Sequence, residues 1–247
     1  MRCAKCGRKF PEDYAYCPYD GMKLGETVED YLLRSAEYRL RGKMKEALEQ
    51  SKKALEIDPN NVEANLNCGE LSYLIGKINE SVKYYKKVIE LKPDFADAHY
   101  NLGIAYFRLA KLKDAVDEFK RTLEINPKFS MAHYWLGLTY FYMGKMEKAL
   151  EEYKEFQKES PESMIANYRM GVLYIARRQY KEAIECLKKV VEFNPKHSTA
   201  YYWLGEAYWG LHDWENAVKT LKKAVECNPE DERPKKLLNM ILEEQEI

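Results

Sequence analysis

Hydrophobic residues recur along most of the chain at intervals of three and four residues, the spacing that places them on one face of an α-helix. Two such faces follow each other between residues 102 and 123: Leu102, Ala105, Tyr106 and Leu109, then Val116, Phe119 and Leu123. Lysine and glutamate fill the opposite positions, as in Glu147, Lys148 and Glu151. The pattern predicts pairs of amphipathic helices that bury one face and leave a charged face in solvent.

A strict period of thirty-four residues runs through this pattern. Six prolines carry the period: Pro59, Pro93, Pro127, Pro161, Pro195 and Pro229. Because proline lacks the N–H of a continuing helix and restricts the residue before it, each proline ends a helix. A small residue lies twenty-four positions before each proline: Ser35, Gly69, Gly103, Gly137, Gly171 and Gly205. Repetition at this length is typical of an array of helical units rather than of one globular core.

The repeated positions resemble the tetratricopeptide repeat, whose signature combines a Leu-Gly pair, a Tyr, an Ala, an aromatic residue and a closing Pro. The third unit carries the whole signature: Leu102-Gly103, Tyr106, Ala115, Phe119 and Pro127. The resemblance implies an all-α fold, a right-handed α-solenoid of six helix pairs with a C-terminal capping helix. The expected units are 28–61, 62–95, 96–129, 130–163, 164–197 and 198–231, with the capping helix at 232–247.

Two units depart from the signature. The first has Arg34-Ser35 in place of Leu-Gly. The second has Cys68 before its glycine, and Ser72 and Ser81 at later positions. We expect these two units to pack less tightly than the others.

The segment after the last proline continues the repeat. Leu238 and Leu242 fall on the positions of Leu204 and Tyr208. Residues 232–246 are therefore interpreted as the first helix of an unfinished seventh unit, which covers the apolar end of the array.

Residues 1–27 do not fit the repeat. They hold two paired ligand positions, each followed by glycine: Cys3-x-x-Cys6-Gly7 and Cys17-x-x-Asp20-Gly21. This arrangement resembles a zinc ribbon, a small β-hairpin module in which two knuckles hold one ion and glycine supplies the positive φ that reverses the chain. The resemblance implies one structural zinc with four ligands: Cys3, Cys6, Cys17 and Asp20. Asp20 stands where the usual pattern has a fourth cysteine, and carboxylate oxygen is an accepted zinc ligand.

Two other interpretations of this segment stay open. A degenerate ribbon that has lost its metal would keep three of the usual ligands, and a disulfide could join Cys17 to Cys3 or Cys6. We favour the metal because the segment has few apolar residues, such as Phe10 and Leu24, and cannot fold by burial alone. Disulfide bonds are also rare in cytosolic proteins.

Composition and charge exclude several classes of protein. The chain has 40 basic and 40 acidic residues, so the totals indicate neither a nucleic-acid surface nor a polybasic membrane anchor. The most apolar run, residues 131–143, is too short to span a bilayer, and no signal peptide opens the chain. We expect a cytoplasmic protein that is not inserted in a membrane.

No motif of a catalytic site is present: there is no Gly-rich phosphate loop, no Gly-x-Ser-x-Gly and no His-Glu-x-x-His. We therefore expect no enzymatic activity. Cys68, Cys186 and Cys227 are interpreted as reduced thiols without chemistry. His99 and His133 occupy the same position in consecutive units, and we interpret them as packing residues, with a shared metal as the alternative.

The resemblance implies that the first helix of each unit lines a concave groove for a partner. The predicted partner-binding residues are Asn67, Tyr73, Tyr100, Asn101, Phe107, Arg108, Tyr134, Trp135, Phe141, Tyr142, Tyr168, Arg169, Tyr202, Trp203 and Trp209. Acidic residues such as Glu29, Glu63 and Asp97 accompany the first half of this surface, whereas the second half is dense with aromatic residues. Tyrosine and tryptophan are frequent in binding hot spots, although part of these rings could instead pack between neighbouring helices.

We predict a non-catalytic scaffold that binds an extended or short helical protein segment in this groove, with the basic end of that segment toward units 1–3 and its apolar end toward units 4–6. The family's basic clamp for a C-terminal carboxylate is not expected, because only Arg169 matches its positions.

Two alternative functions differ in the part of the chain that makes the contact. In one, the N-terminal module touches nucleic acid or transcription machinery and the repeats are a spacer. We rank nucleic-acid binding lower because the acidic residues of this module nearly cancel its basic ones: Glu12, Asp13, Asp20 and Glu26 against Arg2, Lys5, Arg8, Lys9 and Lys23. In the other, the protein is a homo-oligomer in which one protomer's ribbon or terminal helix lies in a neighbour's groove.

Overall fold

The computed structural model of the chain describes residues 3, 5–10, 14–21 and 25–245. In this part of the chain thirteen α-helices follow one another, and the prediction of an all-α helical repeat is confirmed. The helices are α1 (Val28–Leu40), α2 (Met44–Ile57), α3 (Val62–Leu74), α4 (Ile78–Leu91), α5 (Ala96–Arg108), α6 (Leu112–Ile125), α7 (Ser130–Tyr142), α8 (Met146–Glu159), α9 (Met164–Ala176), α10 (Tyr180–Phe193), α11 (Ser198–Gly210), α12 (Trp214–Cys227) and α13 (Glu232–Gln245). Odd-numbered helices up to α11 are the first helices of the six repeats, and even-numbered helices are the second.

The turn inside each repeat contains one residue in the left-handed region. Gly42 has a φ of 73°, and the N–H of Lys43 donates to the carbonyl of Tyr38 at 2.9 Å, which closes α1 as in a Schellman motif. The equivalent residues of the later repeats also have positive φ: Gly76, Ala110, Gly144, Arg178 and His212. Three repeats therefore hold this conformation without glycine.

The turn between repeats ends on a side-chain cap in several places. The side chain of Asn61, two residues after Pro59, accepts from the N–H of Ala64 at 2.9 Å and caps the start of α3. Thr27 and Asp30 form a reciprocal capping box at the start of α1. Proline at the end of one repeat and a cap at the start of the next explain why the helix boundaries follow the period.

The chain divides by compactness into unit 1, Met1–Ala132, and unit 2, His133–Ile247, and the division falls inside α7. Each unit is described by itself below. This division does not test the predicted sequence modules 1–27, 28–231 and 232–247, which stay a prediction.

Unit 1 packs a glycine of the first helix against a ring of the second helix. A Cβ added at Gly103 would lie 2.7 Å from Phe119 Cε1, and one added at Gly69 would lie 2.6 Å from Tyr85 Cε1. Because real Cβ atoms do not approach that closely, only glycine lets these two helices meet around the ring.

The first repeat makes the same helix contact with different side chains. Ser35 Oγ lies 2.8 Å from Ser51 Oγ and donates to the carbonyl of Ala47 at 2.9 Å, and both serines are buried. Two serines thus replace one glycine and one large side chain. In the second repeat Cys68 and Ser72 are fully buried. Burial at these positions is as complete as at the equivalent positions of the other repeats, and the expected looser packing stays a prediction.

Unit 2 repeats the glycine contact with changing partners. Cβ atoms added at Gly171 and Gly205 would each lie 2.6 Å from a leucine Cγ, of Leu187 and of Leu221. The final helix, α13, buries Leu237 and Ile241 rather than the expected pair. Leu238 is only partly buried and Leu242 is 41% exposed, because α13 has no second helix of its own among the described residues to cover them.

The N-terminal segment contains little regular structure. Lys9 and Tyr16 are single β-bridge residues, and the described residues include no longer strand. Only nine residues separate Gly7 from Cys17, which leaves little room for two strands and a turn. The structure therefore does not show the regular hairpin that the resemblance to a zinc ribbon implies.

Candidate functional site

Two short turns near the N-terminus carry the predicted metal ligands, here named the four-ligand cluster: Cys3, Cys6, Cys17 and Asp20. In the first turn the N–H of Gly7 donates to the carbonyl of Cys3 at 2.9 Å. In the second turn the N–H of Gly21 donates to the carbonyl of Cys17 at 2.9 Å. Both glycines have a φ of 70°, so the local sequence builds the same turn twice.

The structure brings the four side chains together. Their ligand atoms all lie within 4.8 Å of one another. Cys6 Sγ is 3.6 Å from Cys17 Sγ, and Cys3 Sγ is 3.3 Å from Asp20 Oδ2. The sulfur separation is too long for a disulfide bond of about 2.05 Å and close to the roughly 3.8 Å between two thiolates on a tetrahedral zinc. Among the described residues no other group of three or more His, Cys, Asp or Glu side chains is placed to share an ion.

Two members of the four-ligand cluster also belong to the core of the first repeat. Cys3 and Cys17 are 0% and 2% exposed, and they cluster with Tyr31, Ala54 and Ala64. Burial raises the pKa of the Cys17 thiol to about 11, which means that its thiolate form needs a compensating positive charge. Cys6 remains exposed. The same cysteines therefore serve as ligand candidates and as packing residues.

Sequence reasoning missed a polar group beside the four-ligand cluster. Glu26 is 8% exposed, accepts a hydrogen bond from the hydroxyl of Tyr31 and pairs with Arg34 at 2.6 Å. Burial, together with the neighbouring Glu26 carboxylate, raises the pKa of Tyr31 to about 12. These groups line a cavity of about 350 Å³ with Asp20. The sequence feature that could have indicated this polar group is Arg34, which stands where the repeat signature has leucine.

The described part of the N-terminal segment does not include every residue named in the sequence analysis. Five residues named in the sequence analysis lie outside the described part of the chain: Arg2, Glu12, Asp13, Lys23 and Leu24. The same holds for Glu246 and Ile247 at the end of the expected capping helix.

The first-helix surface of unit 1 is mixed in character. Asn67 lines a cavity of about 580 Å³ with Glu63 of its own helix and with Glu29 and Leu33 of α1. Leu33 is 63% exposed, so apolar surface lies among the acidic groups.

One tyrosine of this surface has a packing role. The ring of Tyr100 lies 4.7 Å from that of Phe129 and 6.2 Å from that of Phe119, measured between centroids. The remaining predicted residues of unit 1 lie at least partly at the surface: Tyr73, Asn101, Phe107 and Arg108.

The first-helix surface of unit 2 is aromatic. Trp203 Nε1 of α11 donates to the hydroxyl of Tyr168 of α9 at 3.2 Å. The Tyr202 and Trp203 rings are 5.0 Å apart, and the Tyr168 ring stacks on His197 at 5.2 Å. These contacts connect two first helices into one aromatic surface.

In α7 the rings divide between packing and exposure. Tyr134 lies against Trp135 and against Phe156 of α8, with centroid distances of 5.8 and 5.7 Å. Phe141 contacts Tyr142, which is 63% exposed. Arg169 of α9 and Trp209 of α11 are partly buried.

None of the fifteen predicted partner-binding residues is buried. Arg108 and Tyr142 are exposed, and the other thirteen are partly buried. Each of them keeps some surface that a partner could contact, although several rings also pack against neighbours, and their role in partner binding stays a prediction.

Each of the two histidines at equivalent positions lies against a glutamate in the second helix of its own repeat. His99 Nδ1 lies 2.6 Å from Glu118, and His99 Nε2 lies 2.9 Å from the carbonyl of Pro93. His133 Nδ1 lies 2.7 Å from Glu152, which is the same pairing one repeat later. These contacts favour the interpretation as packing residues over a shared metal.

The remaining cysteines lie away from the four-ligand cluster. Burial raises the pKa of Cys68 to about 12 and that of Cys186 to about 11, so both thiols stay protonated near neutral pH. Cys227 is partly buried and its Sγ lies 3.6 Å from the carbonyl of Pro195.

The helix pairs, the glycine contacts and the closing prolines define a tetratricopeptide-repeat protein. A model of the family described as the cilia and flagella-associated protein 70 C-terminal domain matches residues 27–246, and the chain belongs to this family. A search of curated protein sequences finds no match.

Solved structures have the same fold. The crystal structure of MamA is 32% identical, with a TM-score of 0.63 over 67% of this chain and 96% of that chain. YrrB, described as a TPR protein with an unusual peptide-binding site, is 23% identical, with a TM-score of 0.67 over 74% of this chain and 95% of its own. pilF of Pseudomonas aeruginosa is 17% identical, with a TM-score of 0.73 over 86% and 97%. The last two likenesses concern the fold alone. None of the helices in the described residues combines the length and apolar character that crossing a membrane demands.

Proposed function

We propose that the protein is a non-catalytic scaffold that binds a protein or peptide segment on the first-helix surfaces of its repeats. The observation that carries this proposal is the joined aromatic surface of unit 2, where Trp203 is held by Tyr168 and remains partly exposed. Anchored aromatic side chains offer large contact area at low entropic cost. The peptide-binding site in the description of YrrB is consistent with this use of the fold.

The partner segment is extended or forms a short helix. Asn67 and Asn101 can donate to and accept from its backbone, because an amide side chain does both. The rings of Tyr202 and Trp203 suit proline or aromatic side chains of the segment. In this proposal the acidic first-helix residues of unit 1 and the aromatic first-helix residues of unit 2 each contribute to binding.

Peptide selection from a random library against the whole chain tests this function. We expect selected peptides to bind at least about tenfold more weakly to a Trp203→Ala variant, since hot-spot aromatics contribute that much or more. Trp214→Ala is the matched control, because Trp214 begins the second helix α12. Equal loss in both variants, or no loss in Trp203→Ala, would contradict the proposal.

We further propose that the four-ligand cluster holds one structural zinc ion. Three thiols and one carboxylate converge within 4.8 Å, and soft thiolate with an oxygen donor is a set that zinc accepts. Four protein ligands fill a tetrahedral site and leave no open position for catalysis. When bound, the ion would supply the positive charge that the buried thiolates need.

Metal analysis of purified protein tests the zinc proposal. We expect about one zinc per chain, as for a site with four ligands. A Cys6→Ser/Cys17→Ser variant should contain none, and a Cys227→Ser variant, which changes a distant thiol, should keep the metal. Asp20→Cys, which restores the common ligand set, should also keep it. Absence of metal from the unaltered protein would overturn this proposal.

A further inference from the structure

Two carboxylates occupy the ninth position of a first helix, four repeats apart: Glu70 in α3 and Glu206 in α11. Glu70 has a cation of its own. Arg39 Nη1, from the twelfth position of α1, donates to Glu70 Oε2 at 2.9 Å. The repeat architecture therefore places the twelfth side chain of one first helix beside the ninth side chain of the next.

Glu206 lacks the corresponding cation. The residue equivalent to Arg39 is Ile175, the twelfth of α9, which is 7% exposed and carries no charge. The group that acts on the Glu206 carboxylate is the Tyr202 hydroxyl, and no ion pair to Glu206 is found among the described residues. Partial burial raises the pKa of Glu206, since its charged form has lost hydration without gaining a cation.

Aromatic side chains share the helix face of Glu206. Tyr202, Trp203 and Trp209 lie four, three and three residues from it along α11, the spacings that bring side chains together on a helix. Trp203 is fixed by its hydrogen bond to Tyr168. A carboxylate beside anchored rings is suited to a planar cation, which gains from both the charge and the ring faces.

A guanidinium already uses this aromatic surface. Arg233 Cζ lies 5.1 Å from the centroid of the Tyr202 ring, and its Nη2 is paired with Asp231 at 2.6 Å. Its charge is therefore matched by Asp231, while the Glu206 carboxylate stays without a cation.

We propose that the partner segment carries an arginine whose guanidinium pairs with Glu206 and lies against the aromatic residues of α11, in the place that Arg39 takes beside Glu70. This inference rests on the proposed peptide-binding function and names the side chain that its unit 2 surface recognises. It changes the expectation for this half of the surface from a purely apolar segment to one with a single cation.

A pair of peptides tests the inference: acetyl-Pro-Ala-Arg-Ala-Pro-amide, and the same peptide with citrulline, which keeps the shape of arginine without its charge. Binding is followed through the indole N–H signals of the tryptophans by NMR. We expect saturable binding of the arginine peptide and at least about tenfold weaker binding of the citrulline peptide, as for loss of one partner of a partly buried charge pair.

Three variants locate the contact. Glu206→Gln should weaken the arginine peptide at least about tenfold. Ile175→Arg should do the same, because it supplies the cation from within the chain. Glu215→Gln is the control and should leave binding unchanged, since Glu215 is an exposed residue of the second helix α12. Circular dichroism shows whether each variant is folded. If Ile175→Arg does not fold, the test rests on Glu206→Gln, which keeps the shape of the side chain.

Equal binding of both peptides, no effect of Glu206→Gln, or no saturable binding at millimolar peptide would overturn the inference. Its failure is distinguishable from failure of the proposed function. Library-selected peptides that depend on Trp203 but not on Glu206 would overturn the arginine contact and leave peptide binding standing.

Discussion

Unit 1 closes part of its first-helix surface with an ion pair between Arg39 and Glu70. In unit 2 the equivalent carboxylate is Glu206, which lies on a helix face with aromatic residues, and the position equivalent to Arg39 is the uncharged Ile175. The buried contacts do not differ in this way. In both units a glycine of the first helix meets a large side chain of the second, as at Gly103 and Gly171. The positions that repeat hold the fold, so the positions that differ between the units are where recognition should be sought.

The largest difference between the units concerns the four-ligand cluster, which packs only into unit 1. If a metal holds Cys3 and Cys17 in the core of the first repeat, its removal should open that core. We expect a chelator to speed amide hydrogen exchange in α1 and α2 about 100-fold, equivalent to about 2.7 kcal/mol. Exchange in α9 to α12 of unit 2 is the internal control.

The same experiment on a Cys6→Ser variant should give fast exchange in α1 and α2 without chelator. Protection that survives complete loss of metal would show that the first repeat is stable without the four-ligand cluster. Unit 1 and unit 2 would then not differ in how their folds are maintained.

The second comparison concerns the shared glycine contact. Gly103→Ala in unit 1 and Gly171→Ala in unit 2 each force a Cβ to within 2.7 and 2.6 Å of a buried side chain. We expect each change to lower the free energy of unfolding by about 2 kcal/mol, the usual range for overpacking. Chemical denaturation measures the loss, and Asp117→Ala on the exposed face of α6 is the control.

A clear difference between the two variants in the loss of unfolding free energy would contradict the view that both units share one kind of buried helix contact. Leu187 can move more easily than the flat ring of Phe119, so the smaller loss, if the two differ, should be in unit 2.

The features that follow a local period were predictable from sequence, and those that depend on pairing across repeats were not. The helices and the four-ligand cluster follow from spacings of three, four and thirty-four residues. The Ser35–Ser51 hydrogen bond could not be predicted, because the two serines lie sixteen residues apart in different helices and neither position indicates its partner. The pairing of Arg39 with Glu70 joins two residues thirty-one positions apart in different helices, and nothing in the local sequence of either residue indicates it.

The aromatic surface shows the same limit. Sequence placed Tyr100 and Tyr168 at equivalent positions, but the first packs on Phe129 and the second on His197 and Trp203. The partners lie twenty-nine positions later, at Phe129 and His197, or thirty-five positions later, at Trp203, and these positions lie outside the repeat signature. The equivalence of the two positions was predictable from the period, and the partners of the two rings were not.

The smallest expected effect compares the turn inside the third repeat of unit 1 with that of the fifth repeat in unit 2. Ala110 and Arg178 have φ values of 56° and 58°, where Gly42 and Gly144 serve in other repeats. The left-handed conformation costs a residue with a Cβ about 1 kcal/mol or more. Replacement by glycine removes that cost, but part of the benefit is lost because glycine has more conformational freedom in the unfolded chain. We expect Ala110→Gly and Arg178→Gly each to raise the free energy of unfolding by about 0.5 kcal/mol.

The reverse change, Gly42→Ala, should lower the free energy of unfolding, and urea midpoints measured under one set of conditions can resolve the sign. If Arg178→Gly instead destabilises the protein, the side chain of Arg178 stabilises this turn of unit 2 by more than its left-handed backbone costs.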